Sequence, residues 1–287
     1  MLHRAPAFFT LTCTLAASAL LIACGLWLAG QATNMAWFQR INGAGPLVLD
    51  AAAANLTLLG SGYAVILLML AGDRGHGMGP ALALRTLLIG ALLARAGKLA
   101  LSEPRPLSVL GADAVHVVGT PIVSSNALPS GHTLTAFAGA LALWWIWRAA
   151  SKNLPAWRAA LGLMLLLALA SGVAWSRVAV GAHWPADVLA GAGCGLLAAT
   201  LALCWENHGR WALVLRQPLA QRAVGGAEIA IALVWLTLDT HQPGTQALQW
   251  AIGAVGLASG MARLWHQRRT VAGPRQQAAL DGRAPAP

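Results

Sequence analysis

The chain has 287 residues, is 57% hydrophobic and only 10% charged, and has a mean hydropathy of +0.63. A water-soluble globule of that composition lacks the polar residues to cover its surface, so the class is membrane protein. The formal charge of +10 raises nucleic acid as a partner, but the basic residues are scattered through short loops between apolar runs, which fits membrane topology and not a nucleic-acid surface.

Apolar runs of roughly 17 to 25 residues cross a hydrocarbon core of about 30 Å as helices. Taken in order, the spans are Phe8 to Leu28, Ala52 to Leu70, Pro80 to Leu101, His132 to Trp147, Trp157 to Trp175, Ala186 to Cys204, Ala227 to Leu238 and Ala247 to Leu264. The first follows a single Arg4, with no small-residue cleavage site leading into a soluble domain, and reads as a retained span instead of a secretory signal. Cys13, Cys24, Cys194 and Cys204 each lie inside an apolar run without pairing or metal-type spacing, and read as packing residues. The stretch after Trp265 is rich in Arg, Gln, Ala and Pro and reads as a disordered cytoplasmic tail over 266–287. No internal repeat of the inverted-transporter kind is visible.

With the N-terminus in the cytoplasm, Arg74 and Arg85, then Arg148, Lys152 and Arg158, then Arg210, Arg216 and Arg222 fall at successive inner ends of spans. Arg263, Arg268, Arg269, Arg275 and Arg283 also fall inside, so the positive-inside rule is met at every internal segment. The outer side holds Arg40, Lys98, Arg105 and Arg177, with Arg95 one turn deeper. Cations that violate a topological preference point to a function that holds them there, here an outward-facing anion site.

Three short segments at outer span ends contain the polar residues that hydropathy leaves unexplained. Lys98 closes the third span and Arg105 follows seven residues later, in a loop stiffened by Pro104 and Pro106, so both cations can converge on one anion. Taken alone, Lys98 also reads as a residue snorkelling to the interface and Arg105 as an ordinary loop residue. Next, Pro129-Ser130-Gly131-His132 stands directly before the fourth span. Ser130 suits an N-cap and Gly131 permits close backbone approach, so exposed amides and the positive helix end form an anion site with His132 beside it. The bland alternative is a plain helix cap. Finally, Ser176-Arg177 is followed by His183 and Asp187, with Pro185 placed for the first turn of the sixth helix. A carboxylate four residues after a histidine can reach its ring and fix the tautomer; the alternative is that Asp187 simply complements the helix dipole. His116 and Glu103, in the same outer loop, read as solvated loop residues.

Together these segments resemble the signature of the type 2 phosphatidic acid phosphatase family, K-x6-RP, then PSGH, then SR-x5-H-x3-D. All eleven specified residues are present in order and with the internal spacings intact, and at a background of roughly one in twenty per position coincidence is a poor explanation. The resemblance covers about Phe8 to Cys204, including Phe38-Gln-Arg-Ile-Asn-Gly through Leu56-Thr-Leu-Leu-Gly, which looks like bacterial members. It implies an all-α polytopic transmembrane bundle with a six-helix phosphatase core over 1–205; the additional pair of helices over 206–265 and the tail over 266–287 are read from hydropathy and composition and fall outside it.

The family's chemistry, carried onto these positions, makes His183 the nucleophile that forms a phosphohistidine, with Asp187 holding its other N–H. His132 becomes the general acid and then the base for water, while Lys98, Arg105, Arg177, Ser130 and the Gly131 amide bind the phosphoryl oxygens. No cofactor and no metal enters this scheme. The implied partner is a lipid phosphate in the bilayer of a bacterial inner membrane, with the site facing outward. Undecaprenyl pyrophosphate, phosphatidylglycerol phosphate, phosphatidic acid and lipid A phosphate are not separated by any residue, and oligomeric state is not legible. Two rivals share the sequence: a lipid-to-lipid phosphotransferase on the same constellation, and a non-enzymatic anion transporter, whose mid-membrane ionisable residues are scarce here apart from Arg85 and Arg95.

Overall fold

A backbone inside a bilayer has to satisfy its own amides, and an apolar helix does so within one segment. The computed structural model describes residues 8–43, 47–73, 75–151 and 153–271, and among these it contains helices and no strand. In chain order they are α1 (Phe8–Ala29), α2 (Ala32–Asn42), α3 (Leu47–Leu59), α4 (Gly62–Asp73), α5 (Met78–Leu101), α6 (Pro106–Leu110), α7 (Gly131–Ala150), α8 (Ala156–Ala179), α9 (Pro185–Gly209), α10 (Trp211–Leu215), α11 (Pro218–Thr237) and α12 (Gln246–Val271).

Each expected span has its helix, with two differences. The second is broken into α3 and α4, which meet at 62°. Five helices are long and apolar enough by themselves to cross a membrane, six with the bent pair counted as one span, and neither α7 nor α12 is among them. The reason for α7 lies in its position. It packs against α4, α5, α8 and α9, so Phe137, Leu141 and Trp144 face protein, where His132, Thr133 and several tryptophans are tolerated. The lipid-facing apolar residues stand elsewhere, on Leu20, Leu84, Leu88, Leu92, Met164 and Leu165, all exposed. Cys13 and Cys24 lie on that exposed face too, which corrects their reading as packing residues; Cys194 and Cys204 are half-buried. α12 continues to Val271, six residues into the expected tail, and 272–287 lie outside the described residues.

α9 is the central strut, buried along most of its length against α1, α5 and α7. Its small residues set the spacing. A Cβ on Gly191 would stand 2.7 Å from the Ser130 carbonyl oxygen, so only glycine lets α9 press against the start of α7. That contact, with the Ser130 N–H donating to the Asp187 carbonyl at 3.0 Å, fixes two of the three sequence segments side by side.

At the opposite end of the bundle, buried ion pairs tie the helices together. Arg85 of α5 donates to Glu206 of α9 at 2.5 Å and packs against the rings of Trp205 and Trp211, 5.2 and 4.6 Å from their centroids. Glu206 also accepts the Ala212 amide at 2.8 Å. Arg85 therefore has a structural partner, which removes it as a sign of a transport path. Removing one member of such a pair leaves an uncompensated buried charge, at a cost of about 3–5 kcal/mol, while an apolar pair of similar volume is often tolerated. Glu206→Ala is thus expected to lower the thermal unfolding midpoint in detergent strongly and Arg85→Met/Glu206→Leu to recover most of it; an unchanged midpoint in Glu206→Ala would show that the pair does not hold α5 to α9.

Candidate active site

Five residues after α8 ends, α9 begins, and the turn between them is organised by Arg177. Its carbonyl accepts the amides of both Ala182 and His183 at 3.1 Å. The turn thereby delivers His183 directly in front of α9, whose first residue is Pro185 as the sequence implied. Asp187, in the opening turn, uses one oxygen twice: Oδ2 accepts the Trp184 amide at 2.9 Å and faces His183 Nδ1 at 3.1 Å. The carboxylate thus closes the helix start and lies against the ring at once.

The tautomer follows from the other side of the ring. Arg105 Nη1 donates toward His183 Nε2 at 3.3 Å and to the Ala182 carbonyl at 2.8 Å. A guanidinium has no acceptor, so Nε2 carries a lone pair, and the proton sits on Nδ1 and is donated to Asp187. Arg105 is itself fixed by Ser124, with Nε donating to Oγ at 2.9 Å and the Arg105 amide donating to the Ser124 carbonyl at 3.0 Å.

Arg177 lies 3% exposed on the last turn of α8. Its Nη1 donates to Thr57 Oγ1 at 3.3 Å, and the Thr57 hydroxyl in turn meets Ser176 Oγ at 2.8 Å. Its Nε is buried without a hydrogen-bond partner, and among the described residues no carboxylate forms an ion pair with it. Ser130 occupies the N-cap position of α7 but does not cap it: its buried Oγ accepts from Thr133 Oγ1 at 3.1 Å, and no side chain takes the first amides of α7. Those amides stay available to an oxyanion, as a helix start with its positive dipole end allows.

His183 is 2% exposed, and its pKa is held well below the usual histidine value, first by burial and then by Arg105, Arg177, His132 and Lys98. Arg105 on His183, His183 on Asp187 and the Ser130 amide on the Asp187 carbonyl bring the three sequence segments together. His132 and Lys98 are both half-buried there, at the start of α7 and the end of α5. The donors there are cations, amides and imidazoles, a set that takes an anion; among the described residues no three His, Cys, Asp or Glu side chains cluster as metal ligands would.

Several supporting residues had no role in the sequence reading. Thr57 and Asn42 sit in the stretch that looks like bacterial family members, but nothing in residue type foretold that Thr57 would ligate Arg177. Asn42 clasps the outer loop: its amide donates to the carbonyls of His116 and Ala179 at 2.7 and 2.9 Å and accepts the His116 amide at 2.8 Å. His116 is not simply solvated, because its Nε2 stands 2.8 Å from Asp50 Oδ1. Trp184 Nε1 donates to the Pro104 carbonyl at 2.9 Å and the Glu103 carbonyl accepts Ala127, so the loop carrying Arg105 is stitched to α9 and to itself.

Beside the site an apolar groove of about 150 Å³ runs between α4, α5 and α7, from Ala94 and Gly131 down to Thr86 and Met69. It starts one helical turn below Lys98. Over residues 79–211 the chain matches the family model described as the PAP2 superfamily. All eleven motif residues fall inside the matched stretch, whereas α11 and α12 lie beyond it. Among solved structures it is similar to Aquifex aeolicus LpxE, at 25% identity over 62% of this chain and 98% of that one, with a TM-score of 0.49. It is also similar to a transmembrane PAP2-type phosphatidylglycerolphosphate phosphatase from Bacillus subtilis, at 23% identity over 67% and 96%, again with a TM-score of 0.49. No curated protein matches the chain.

The depressed pKa of His183 has a sign that can be read directly. In the free protein the ring is neutral at pH 7 and stays neutral as the pH falls below the usual histidine value. An oxyanion among Lys98, Arg105 and Arg177 offsets the repulsion from those cations, so binding raises the pKa and draws a proton toward the ring. Nitrogen NMR of ¹⁵N-histidine-labelled protein should therefore show His183 as the Nδ1–H tautomer at pH 6 and a shift toward imidazolium on adding orthovanadate; an imidazolium at pH 6 without anion would contradict the assigned electrostatics.

Proposed function

We propose that this protein is a membrane phosphatase of the PAP2 type that hydrolyses a phosphomonoester or pyrophosphate of a lipid through a phosphohistidine on His183. The observation that carries the reading is the His183 ring itself, with Nδ1 on Asp187 and the Nε2 lone pair turned toward Arg105. In-line attack by Nε2 forms the N–P bond as the bond from phosphorus to the lipid oxygen breaks. His132 gives that oxygen a proton, then takes one from the water that cleaves the N–P bond, which regenerates both rings. Lys98, Arg105, Arg177, Ser130 and the Gly131 amide stabilise charge on the phosphoryl oxygens. This scheme uses no metal ion.

The apolar groove supports a lipid substrate over a soluble one, since a chain lying along α5 keeps a phosphate one turn higher, level with Lys98. The distribution of basic residues supports a cytoplasmic-membrane protein of a bacterium with the site on the outer face.

Phosphate release by detergent-purified protein, with EDTA present, is the direct test. Release is expected across a panel of lipid phosphates, with His183→Ala lowering kcat by about a thousandfold or more and Asp187→Asn by about a hundredfold or more through loss of the oriented tautomer. Equal release from His183→Ala would end the histidine mechanism, and release only when a second lipid is added would identify a phosphotransferase. Ala94→Phe narrows the groove and should raise KM for long-chain lipid phosphates about tenfold, an effect of about 1.4 kcal/mol, while a small soluble phosphate ester is affected far less. Equal effects on both would remove the groove from substrate binding.

A further inference from the structure

The hairpin of α11 and α12 lies outside the stretch that defines the family, yet it is fastened to the core at both ends. At the inner end Arg263 of α12 donates to Glu228 at 3.0 Å, to Gln221 at 2.6 Å and to Asp73 at 3.4 Å, and also to the Leu70 carbonyl. Asp73 is occupied further by the amides of Gly77 and Gly79 at 2.9 and 2.7 Å. This end locks the hairpin onto α4 and the start of α5.

The outer end reaches the loop that covers the site. The Thr120 amide donates to the His241 carbonyl at 3.2 Å. Gly119 has φ +83°, and a Cβ there would stand 2.4 Å from the His241 carbonyl oxygen and 2.8 Å from the Gln242 side chain, so the corner fits only as glycine. The turn that presents His241 is built with care for its shape. His241 has φ +54°, a conformation that non-glycine residues adopt only when their surroundings fix it. Asp239 Oδ1 accepts the His241 amide at 2.8 Å, Thr240 and Thr245 share a hydroxyl contact at 3.0 Å, and Gln249 donates to the Leu238 carbonyl at 2.8 Å.

From Thr120 the chain runs four residues to Ser124, whose hydroxyl and carbonyl together hold Arg105 against His183. We propose that the α11–α12 hairpin positions the site: its turn at His241 holds the Gly119–Thr120 corner and thereby sets Ser124 and the guanidinium of Arg105. Ser124 and the turn are positioning residues, acting through Arg105 without touching the reacting atoms. The inference rests on the phosphatase reading for its kinetics and not for its binding.

The experiment compares Asp239→Ala, Gly119→Ala and Ser124→Ala, singly and with each of the first two combined with Ser124→Ala. Asp239 is exposed, so its replacement loosens the turn without touching the core. Each single change is expected to lower kcat about three- to tenfold, the effect of one hydrogen bond, with the thermal midpoint of Asp239→Ala near that of the parent. The doubles should match Ser124→Ala alone, because all act on one guanidinium. Affinity for inorganic phosphate, measured calorimetrically, should weaken in the same variants and by similar factors even in a protein without turnover. Parental kinetics and affinity in both Asp239→Ala and Gly119→Ala, or effects that multiply with that of Ser124→Ala, overturn the positioning role and leave the phosphatase reading standing. A parent that neither releases nor binds phosphate takes both down.

Discussion

Two guanidinium groups, Arg105 and Arg177, are held out of water at one end of this bundle, and among the described residues neither forms an ion pair with a carboxylate. Their hydrogen bonds go to neutral partners: Ser124, the Ala182 carbonyl and Thr57. Neutral partners satisfy direction but not charge, and a buried charge without a counter-charge is among the most costly features a fold can carry. The fold tolerates it because each cation is bolted to backbone that is itself fixed, Arg177 through the turn it organises and Arg105 through its loop. The uncapped amides of α7 stand at the same end, so positive charge collects there without a carboxylate paired to either guanidinium among the described residues.

The other end of the bundle is the reverse case. Arg85 meets Glu206, and Arg263 meets Asp73 and Glu228, so positive charge is matched inside the protein and the helices are closed against each other. The same residue type thus serves two purposes in one chain, and what separates them is whether a carboxylate is supplied. Arg177 and Arg85 are equally buried. Only the first is left for something outside the chain to complete.

The sequence made the helices, the outer location of the cations and the three chemical segments legible, because apolar length and fixed spacing are local properties. Asp187 and His183 are four residues apart, and their contact could be foreseen from helix geometry. The break between α3 and α4 was hidden, since the whole run is apolar and hydropathy does not register a bend. Thr57 and Ser124 were hidden for a different reason: each acts on an arginine 120 or 19 residues away, and a threonine or serine in such a run carries no mark of its partner. The last two helices were visible as apolar segments, but their hold on the loop rests on a backbone carbonyl at His241, a group that every residue type possesses.

Arg85 and Lys98 stand on the same helix, thirteen residues apart, or about 20 Å along its axis. The lower of the two packs against Trp205 and Trp211, aromatic residues of the kind that settle at a membrane–water boundary. α5 therefore holds Lys98 at a fixed height above that aromatic pair. A cation held at that height meets the headgroup plane only in a bilayer whose thickness matches the span, so its surroundings are tied to the thickness of the membrane.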